Sequence, residues 1–135
     1  MSRIVRNILK YLAIIFGTLS VIAAAILVFL HYSLKDMCGN EIHQQVESPD
    51  KKYKAVIFQR DCGATTGFST QVSIIENNKD LPDKSGNIFI ANGSPDQNQI
   101  KIAWLNDNKI EIIENIPETF LKENKFQDIE IIYNK

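Results

Sequence analysis

The sequence predicts a mainly β protein, in which an N-terminal single transmembrane helix is followed by a small antiparallel β-meander or sandwich domain of six or seven strands. Residues 11–34 contain no Asp, Glu, Lys or Arg and are predominantly apolar. Residues 35–135 contain short runs rich in Ile, Val and aromatic residues, separated by turn-forming Gly, Pro, Asn and Asp. The links between these runs leave no room for a long crossover, so we expect neighbouring strands to pair antiparallel.

The apolar run is long enough to cross a bilayer, whose hydrocarbon core of roughly 30 Å requires about 20 helical residues. Arg3, Arg6 and Lys10 precede it, and cations flanking a membrane helix stay on the cytoplasmic side. The expected organisation is a cytoplasmic tail over residues 1–10, a transmembrane helix over residues 11–34 and an extracytoplasmic β domain over residues 35–135. The expected location is the bacterial cytoplasmic (inner) membrane, with the lipid bilayer as partner of residues 11–34.

A cleaved signal peptide is the main alternative to this anchor. Ala23, Ala24 and Ala25 are the small residues that a signal peptidase prefers, but five apolar residues follow them. A cleavage site there would lie inside the bilayer rather than in a polar segment beyond it. We therefore expect an uncleaved anchor.

Charge argues against nucleic acid as a partner. Three of the 15 basic residues precede the apolar run, so 12 remain in residues 35–135 against all 16 acidic residues. Nucleic-acid binding requires a basic face to meet the phosphates. The outer domain instead has a formal charge of −4.

The two cysteines, Cys38 and Cys62, both fall in the predicted outer domain. An extracytoplasmic compartment permits disulfides, and a single pair allows only one intramolecular connectivity. We expect a Cys38–Cys62 disulfide, with free thiols and an intermolecular bridge as the alternatives.

The strands are assigned from alternation and turn residues. Residues 42–47 form a weak candidate, and a Ser-Pro-Asp turn over residues 48–52 leads to a second strand over residues 53–59. Val56, Ile57 and Phe58 are apolar on both faces of that strand, which predicts that both faces are covered. Residues 68–77 alternate most clearly, and the turn-rich residues 77–87 after them are expected to be exposed.

The second half of the domain is predicted in the same way. A short strand over residues 87–91 and a loop over residues 92–98 lead to a hairpin of residues 99–105 and 109–114. Residues 117–127 are predicted to contain a helical turn, with Pro117 near its start. Residues 129–133 form the last strand.

Two resemblances are carried by the Ser-Pro-Asp segments. Residues 48–56 (SPDKKYKAV) resemble the SPDGKY-type start of a blade in TolB-like β-propellers, and Ser-Pro-Asp recurs at residues 94–96. A propeller needs at least four blades of about 40 residues, so we interpret the repeat as a shared turn. Residues 48–75 are similar to uncharacterised small bacterial membrane-anchored proteins with a CGATT-type segment after that strand, except that Lys51 replaces the usual glycine. This second resemblance implies a domain of unknown function and no catalytic residues.

The best candidate for a ligand or partner loop lies between the two strongest strands. It comprises Asp61, Gly63, Thr65, Thr66 and Gly67. Cys62 in the same loop could act as a nucleophile if a base such as His43 lay nearby, but a half-cystine with loop-capping threonines is the simpler interpretation. Cys38, His43 and Cys62 lack the spacing of a metal site. The sequence therefore predicts no catalytic residue, metal or cofactor.

The expected function is a binding or structural role at the cell envelope, with an envelope protein or the cell wall as partner. A small thiol-dependent enzyme or redox protein using Cys62 is one alternative. An envelope inhibitor or immunity protein is another. The sequence does not predict an oligomeric state.

Overall fold

The computed structural model describes residues 2–35, 37–63 and 66–135. The boundary between its two compact units falls between Met37 and Cys38. The first unit contains one long helix, α1 (Arg3–Lys35). Residues 2–33 are all exposed, so this helix is not the buried core helix of a soluble domain. It is long and apolar enough to cross a membrane, although a signal sequence near the N-terminus would pass the same test.

The hydroxyl groups of α1 are satisfied within the helix. Thr18 donates to the carbonyl oxygen of Ile15 at 2.9 Å, and Ser20 donates to that of Phe16 at 2.8 Å. A helix in hydrocarbon must satisfy its own polar groups. These two residues therefore do not make the helix unfit for a bilayer.

The second unit is built from strands. Its described residues form nine strands and one helical turn, which are β1 (Gly39–Glu47), β2 (Tyr53–Asp61), β3 (Ser69–Glu76), β4 (Phe89–Asn92), α2 (Pro95–Asn98), β5 (Lys101–Asn106), β6 (Lys109–Ile113), β7 (Thr119–Lys122), β8 (Lys125–Phe126) and β9 (Ile129–Asn134). Sheet A has the order β1-β2-β3-β4-β7, and sheet B has the order β5-β6-β9-β8. The predicted class, a mainly β domain after an N-terminal apolar helix, is confirmed.

One apolar core lies between the two sheets. It is formed by inward-facing residues of β2, β3, β4, β5, β6 and β9. Its fully buried large side chains include Ile57, Ile74, Phe89, Ile110 and Ile129. The outward residues of sheet B, such as Lys101 and Leu105, are exposed, so sheet B shows the alternation of a sheet that is covered on one face.

Three details of the sequence prediction are wrong, the first being the number of strands, which is nine in the described residues rather than six or seven. Residues 117–127 contain β7 and β8 rather than a helical turn, and the helical turn lies at α2, where a loop was expected. The strand neighbours are also not all antiparallel, because β6 and β9 pair in parallel. Residues 114–128 provide the connection that a parallel pair requires, and this connection passes through sheet A as β7.

The strands β2 and β3 of sheet A are covered on both faces, unlike the strands of sheet B. Val56 and Phe58 point away from the sandwich core, yet both are fully buried. Residues 77–87, which lie in the connection from β3 to β4, cover this second face, and we call this segment the strap. The prediction that both faces of β2 are covered is therefore confirmed.

Candidate functional site: a groove between the strap and β1

The strap is fixed to sheet A at its C-terminal end by two polar residues of β3. Gln71 Oε1 accepts from the Gly86 amide at 2.6 Å, and Ser73 Oγ accepts from the Asn87 amide at 3.2 Å. Gln71 and Ser73 are almost completely buried. Buried polar side chains normally have hydrogen-bond partners, and here the strap backbone supplies them.

Asn87 completes this attachment, because its side-chain amide pairs with the Ile74 backbone as a neighbouring strand would. Its side-chain oxygen accepts from the Ile74 amide and its side-chain nitrogen donates to the Ile74 carbonyl, both at 2.9 Å. The Gly86 backbone lies so close to the sheet that a Cβ atom would be 2.9 Å from the carbonyl oxygens of Val72 and Phe89. This end of the strap is therefore held rigidly on β3 and β4.

The middle of the strap is held by a cross-strand pair. Asn40 of β1 lies opposite Arg60 of β2, and the Arg60 guanidinium donates to Asn40 Oδ1 at 2.6 Å. Asn40 Nδ2 donates to the carbonyl oxygens of Pro82 at 3.1 Å and Lys84 at 2.8 Å. The Asn40 amide therefore uses both its donor and its acceptor side in this network.

Arg60 also forms an ion pair with the strap. Its Nη1 lies 3.0 Å from Asp83 Oδ1, and the Arg60 side chain is only 12% exposed. A guanidinium this far from water needs acceptors, which Asn40 and Asp83 provide. Arg60 is thus paired with Asp83 of the strap, whereas the adjacent Asp61 accepts from the Gly63 amide.

An open groove of about 590 Å³ lies between the strap and the outward face of β1. Its lining consists of Gly39, Asn40, Ile42, Gln45, Lys54, Asp80, Leu81 and Asp83. Asn40 and Asp83 lie at the Arg60 end, whereas Lys54 lies six positions away on β2. At about 3.3 Å per residue, the groove follows the strand for about 20 Å.

The groove lining combines two apolar side chains with one cation, Lys54, and two carboxylates, Asp80 and Asp83. Ile42 is 46% exposed, and Leu81 of the strap is half-buried. Lys54 is also half-buried. Within the described part of the chain, no carboxylate lies within ion-pairing distance of Lys54. The groove therefore offers a short apolar surface, the ammonium group of Lys54 and the carboxylate of Asp80, while Asp83 is paired with Arg60.

The candidate loop predicted from sequence lies apart from this groove. The Asp61 carboxylate accepts from the Gly63 amide at 2.9 Å, and the Gly63 carbonyl accepts from the amide and hydroxyl of Thr66 at 3.1 and 3.2 Å. These groups satisfy one another and do not line the groove. Gly67 is exposed, and Thr65 lies outside the described residues.

Cys38 and Cys62 are joined by a disulfide at the end of the β1–β2 ladder. Gly39 pairs with Asp61, so the two cysteines occupy the next position beyond the last paired residues. Both cysteines of the chain are used in this bridge. In this state Cys62 has no thiol with which to act as a nucleophile.

A second, smaller cavity of about 80 Å³ lies on the other side of β1. His43, at a β-bulge in β1, has Nδ1 3.6 Å from Asp96 Oδ1 of α2, and Asp96 is mostly exposed. Among the described residues, no group of three or more His, Cys, Asp and Glu side chains has the arrangement of a metal site. His43 and Asp96 thus lie next to each other at the surface, where β1 approaches α2.

Sequence reasoning missed the residues that build the groove. Asn40 and Ile42 fell in or next to a weak strand. Most of the strap is exposed, as predicted, but its packing on sheet A was not predicted. One signal was available: the polar Gln71 and Ser73 lie beside the wholly apolar Val56 and Phe58 on the same sheet face. Polar residues on such a face need partners from another segment.

Together these features define a small two-sheet β domain that follows one helix long and apolar enough to cross a membrane. A family model described as a family of unknown function (DUF5412) matches residues 6–127, and the chain belongs to this family. The matched range includes most of α1 and the whole lining of the groove. No curated protein and no solved structure matches the chain.

Proposed function

We propose that the chain is a single-pass protein of the bacterial cytoplasmic membrane, with α1 as an uncleaved anchor, the N-terminus in the cytoplasm and the β domain outside. Support comes from the exposed apolar helix and from Arg3, Arg6 and Lys10 on its N-terminal side. The disulfide agrees with an oxidising compartment for the domain.

The anchor is tested by the intact mass of the protein extracted from membranes and alkylated without prior reduction. The full-length mass with no alkyl groups is the expected result. A mass lacking the first 25–40 residues would make α1 a cleaved signal peptide. Two alkyl groups would mean free thiols and would contradict the outward topology.

We further propose that the β domain is a binding module and not an enzyme, and that the groove is its binding site. The observation that carries this proposal is an open groove of about 590 Å³ beside the edge strand of sheet A. Its volume falls in the usual range of ligand sites, which is roughly 300–1,000 Å³. The polar network of Asn40, Arg60 and Asp83 fixes its shape.

The chemistry of the groove favours an extended peptide segment of an envelope protein. A length of about 20 Å accommodates about six extended residues. Ile42 and Leu81 would contact an apolar side chain of the segment, and Lys54 would bind a carboxylate. The formal charge of the domain disfavours polyanionic partners.

This binding role is tested in cells with a photo-crosslinking amino acid at position 42. We expect adducts with an envelope protein from position 42, and none from position 101 on the exposed face of sheet B. Lys54→Glu should abolish the adducts, whereas Lys101→Glu should leave them unchanged. Equal adducts from both positions, or adducts that survive Lys54→Glu, would contradict the proposed site.

A further inference from the structure

We propose that the Cys38–Cys62 disulfide is a redox latch for the strap. With the bridge closed, Asn40 holds the middle of the strap against sheet A and the groove keeps its shape. With the bridge reduced, residues 39–42 separate from β2, and the middle of the strap opens. The effect on a ligand rests on the proposed function of the groove, but the latch itself does not.

The latch follows from the position of the bridge in the β1–β2 ladder. Asn40 and Arg60 are a cross-strand pair, and each lies two positions from one of the bridged cysteines. The same two side chains make the contacts to Pro82, Asp83 and Lys84 that hold the middle of the strap. The bridge therefore closes the ladder next to the residues that fasten the strap.

Residues 39–42 are weakly attached in other respects. A β-bulge between Ile42 and Gln44 interrupts the ladder, and β1 is an edge strand that pairs only with β2. Residues 39–42 contain no buried side chain. Segments with few buried apolar contacts are the ones that open locally. Apart from the backbone ladder with β2, this part of β1 is thus restrained by the bridge and by the Asn40 hydrogen bonds.

The other end of the strap does not depend on the bridge. Gly86 and Asn87 are bonded to Gln71, Ser73 and Ile74 of β3, which lies inside sheet A. Opening would therefore pivot about this end and leave the sandwich core closed. We therefore expect reduction to change only the strap and residues 39–42. A disulfide that stabilised the whole fold would instead loosen all of the domain when reduced.

The chemistry requires a dithiol reductant. A thiolate of the reductant attacks one sulfur of the bridge, the S–S bond breaks and a mixed disulfide forms. The second thiol of the reductant then displaces the other cysteine. Two electrons and two protons pass to Cys38 and Cys62, which become thiols, and the reductant becomes a disulfide. Both cysteines are half-exposed, so a reductant can reach them.

The test is limited proteolysis of the full chain in detergent micelles with a lysine-specific protease, with and without dithiothreitol. Lys79 and Lys84 report on the strap, and Lys101 and Lys109 report on sheet B. We expect reduction to increase the rate of cleavage in the strap at least tenfold and to change cleavage in sheet B less than twofold. Unchanged cleavage in the strap after complete reduction would overturn the latch. A parallel increase at all four sites would also overturn it, because the bridge would then stabilise the whole fold.

Asn40→Ala provides a second test that leaves the bridge intact. This variant should be cleaved in the strap under oxidising conditions as fast as the reduced wild type. Asn108→Ala, which removes a turn amide of sheet B, is the matched control and should cleave like wild type. Slow strap cleavage in Asn40→Ala would refute the link from bridge to strap. Neither proteolysis readout involves a ligand. The crosslinking at position 42 can therefore fail while the redox latch is supported, and the redox latch can fail while the crosslinking succeeds.

Discussion

The carboxylate of Glu114 lies 2.7 Å from the ammonium group of Lys122 and ties the end of β6 in sheet B to the edge strand β7 of sheet A. The Glu114 side chain is only 6% exposed, whereas that of Lys122 is 39% exposed. The amide of Ile116 also donates to this carboxylate at 2.7 Å. Glu114 is therefore a buried anion with two close donors.

Removing the ammonium group of Lys122 should lower the free energy of unfolding. Lys122→Met keeps most of the side-chain stem but leaves the Glu114 carboxylate with one donor, and we expect a loss of about 2 kcal/mol in the free energy of unfolding. Lys109→Met is the control, because its pair with Glu130 is more exposed and should contribute less than about 1 kcal/mol. Trp104 fluorescence in a denaturant titration provides the measurement. Equal losses in both variants would contradict this ranking.

The same pair predicts an acid dependence of stability. Burial alone would raise the pKa of Glu114, but the hydrogen bonds from Lys122 and Ile116 outweigh it and hold the pKa below its usual value. The stabilisation is therefore present above the pKa of the unfolded state and is lost as pH falls through that of the folded state. We expect the free energy of unfolding to fall less in Glu114→Gln than in wild type between about pH 5 and about pH 3. Parallel pH profiles would show that Glu114 contributes nothing.

Tyr133 predicts a loss of stability at alkaline pH, whereas Glu114 predicts one at acid pH. Its hydroxyl donates to the carbonyl oxygens of Ile88 at 3.1 Å and Glu123 at 2.8 Å. Burial, with the nearby carboxylates of Glu123 and Glu114, raises the pKa of Tyr133 above its ordinary value. The contribution is therefore complete below the pKa of the unfolded state and declines as pH rises through that of the folded state.

Tyr133→Phe tests this dependence. We expect the variant to lose about 1 kcal/mol at pH 8, because two backbone carbonyls lose their shared donor. Above about pH 10, where tyrosine ionises in the unfolded chain, the difference from wild type should shrink. The measurement is the free energy of unfolding from denaturant titrations at several pH values. A difference that stays constant to high pH would contradict the role of the hydroxyl proton.

The features that sequence predicted are those that depend on local pattern. Val56, Ile57 and Phe58 form an apolar run in a strand, and such a run has to be covered on both faces. The hairpin of β5 and β6 followed from alternating apolar residues around residues 106–108, and it forms as expected. The length of residues 11–34 and their lack of charge were enough to predict a helix there, and α1 contains all of these residues.

The features that sequence missed depend on contacts between distant segments. Residues 117–127 were predicted to contain a helical turn, but Leu121 pairs with Ile90 of β4, and that pairing overrides the local preference. The groove likewise depends on Asn40 meeting carbonyl groups more than 40 positions away. Local patterns do not specify such a contact, which exists only when the strap lies on sheet A.

The two Ser-Pro-Asp segments also show that a local sequence pattern does not specify a single structure. At residues 48–50 the serine is buried, and its hydroxyl donates to Asp50 at 2.6 Å in the turn between β1 and β2. At residues 94–96 the serine instead precedes α2, and its amide donates to Gln97 at 3.3 Å. The repeated tripeptide therefore adopts two different structures here.

Lys51 in the first of these turns predicts a stabilising substitution. Its φ is 58°, in the left-handed region, where a side chain costs about 1–2 kcal/mol. Lys51→Gly should raise the free energy of unfolding by about 0.5 kcal/mol, since relief of this strain exceeds the entropy that glycine adds to the unfolded chain. Lys52→Gly, at a neighbouring position without positive φ, should lower it, and a loss in both variants would contradict the argument.

At Gly86, at the fixed end of the strap, replacing glycine by a larger residue should lower the free energy of unfolding. A Cβ atom there would lie 2.9 Å from two backbone carbonyl oxygens and 3.1 Å from Gln71 Cβ. Backbone atoms cannot rotate away as a flexible side chain can, so Gly86→Ala should cost about 2–3 kcal/mol. Gly86 is not among the positive-φ glycines, so the cost would arise from the close approach of the strap and not from its dihedral angles.

Gly67→Ala is the matched control for Gly86→Ala, because no heavy atom lies within 4 Å of an added Cβ there. It should change the free energy of unfolding by less than about 0.5 kcal/mol. If Gly86→Ala displaces the strap as expected, cleavage after Lys84 should also accelerate while the disulfide stays closed. A variant that is destabilised but keeps wild-type cleavage in the strap would mean that sheet A, rather than the strap, has moved to accommodate the methyl group.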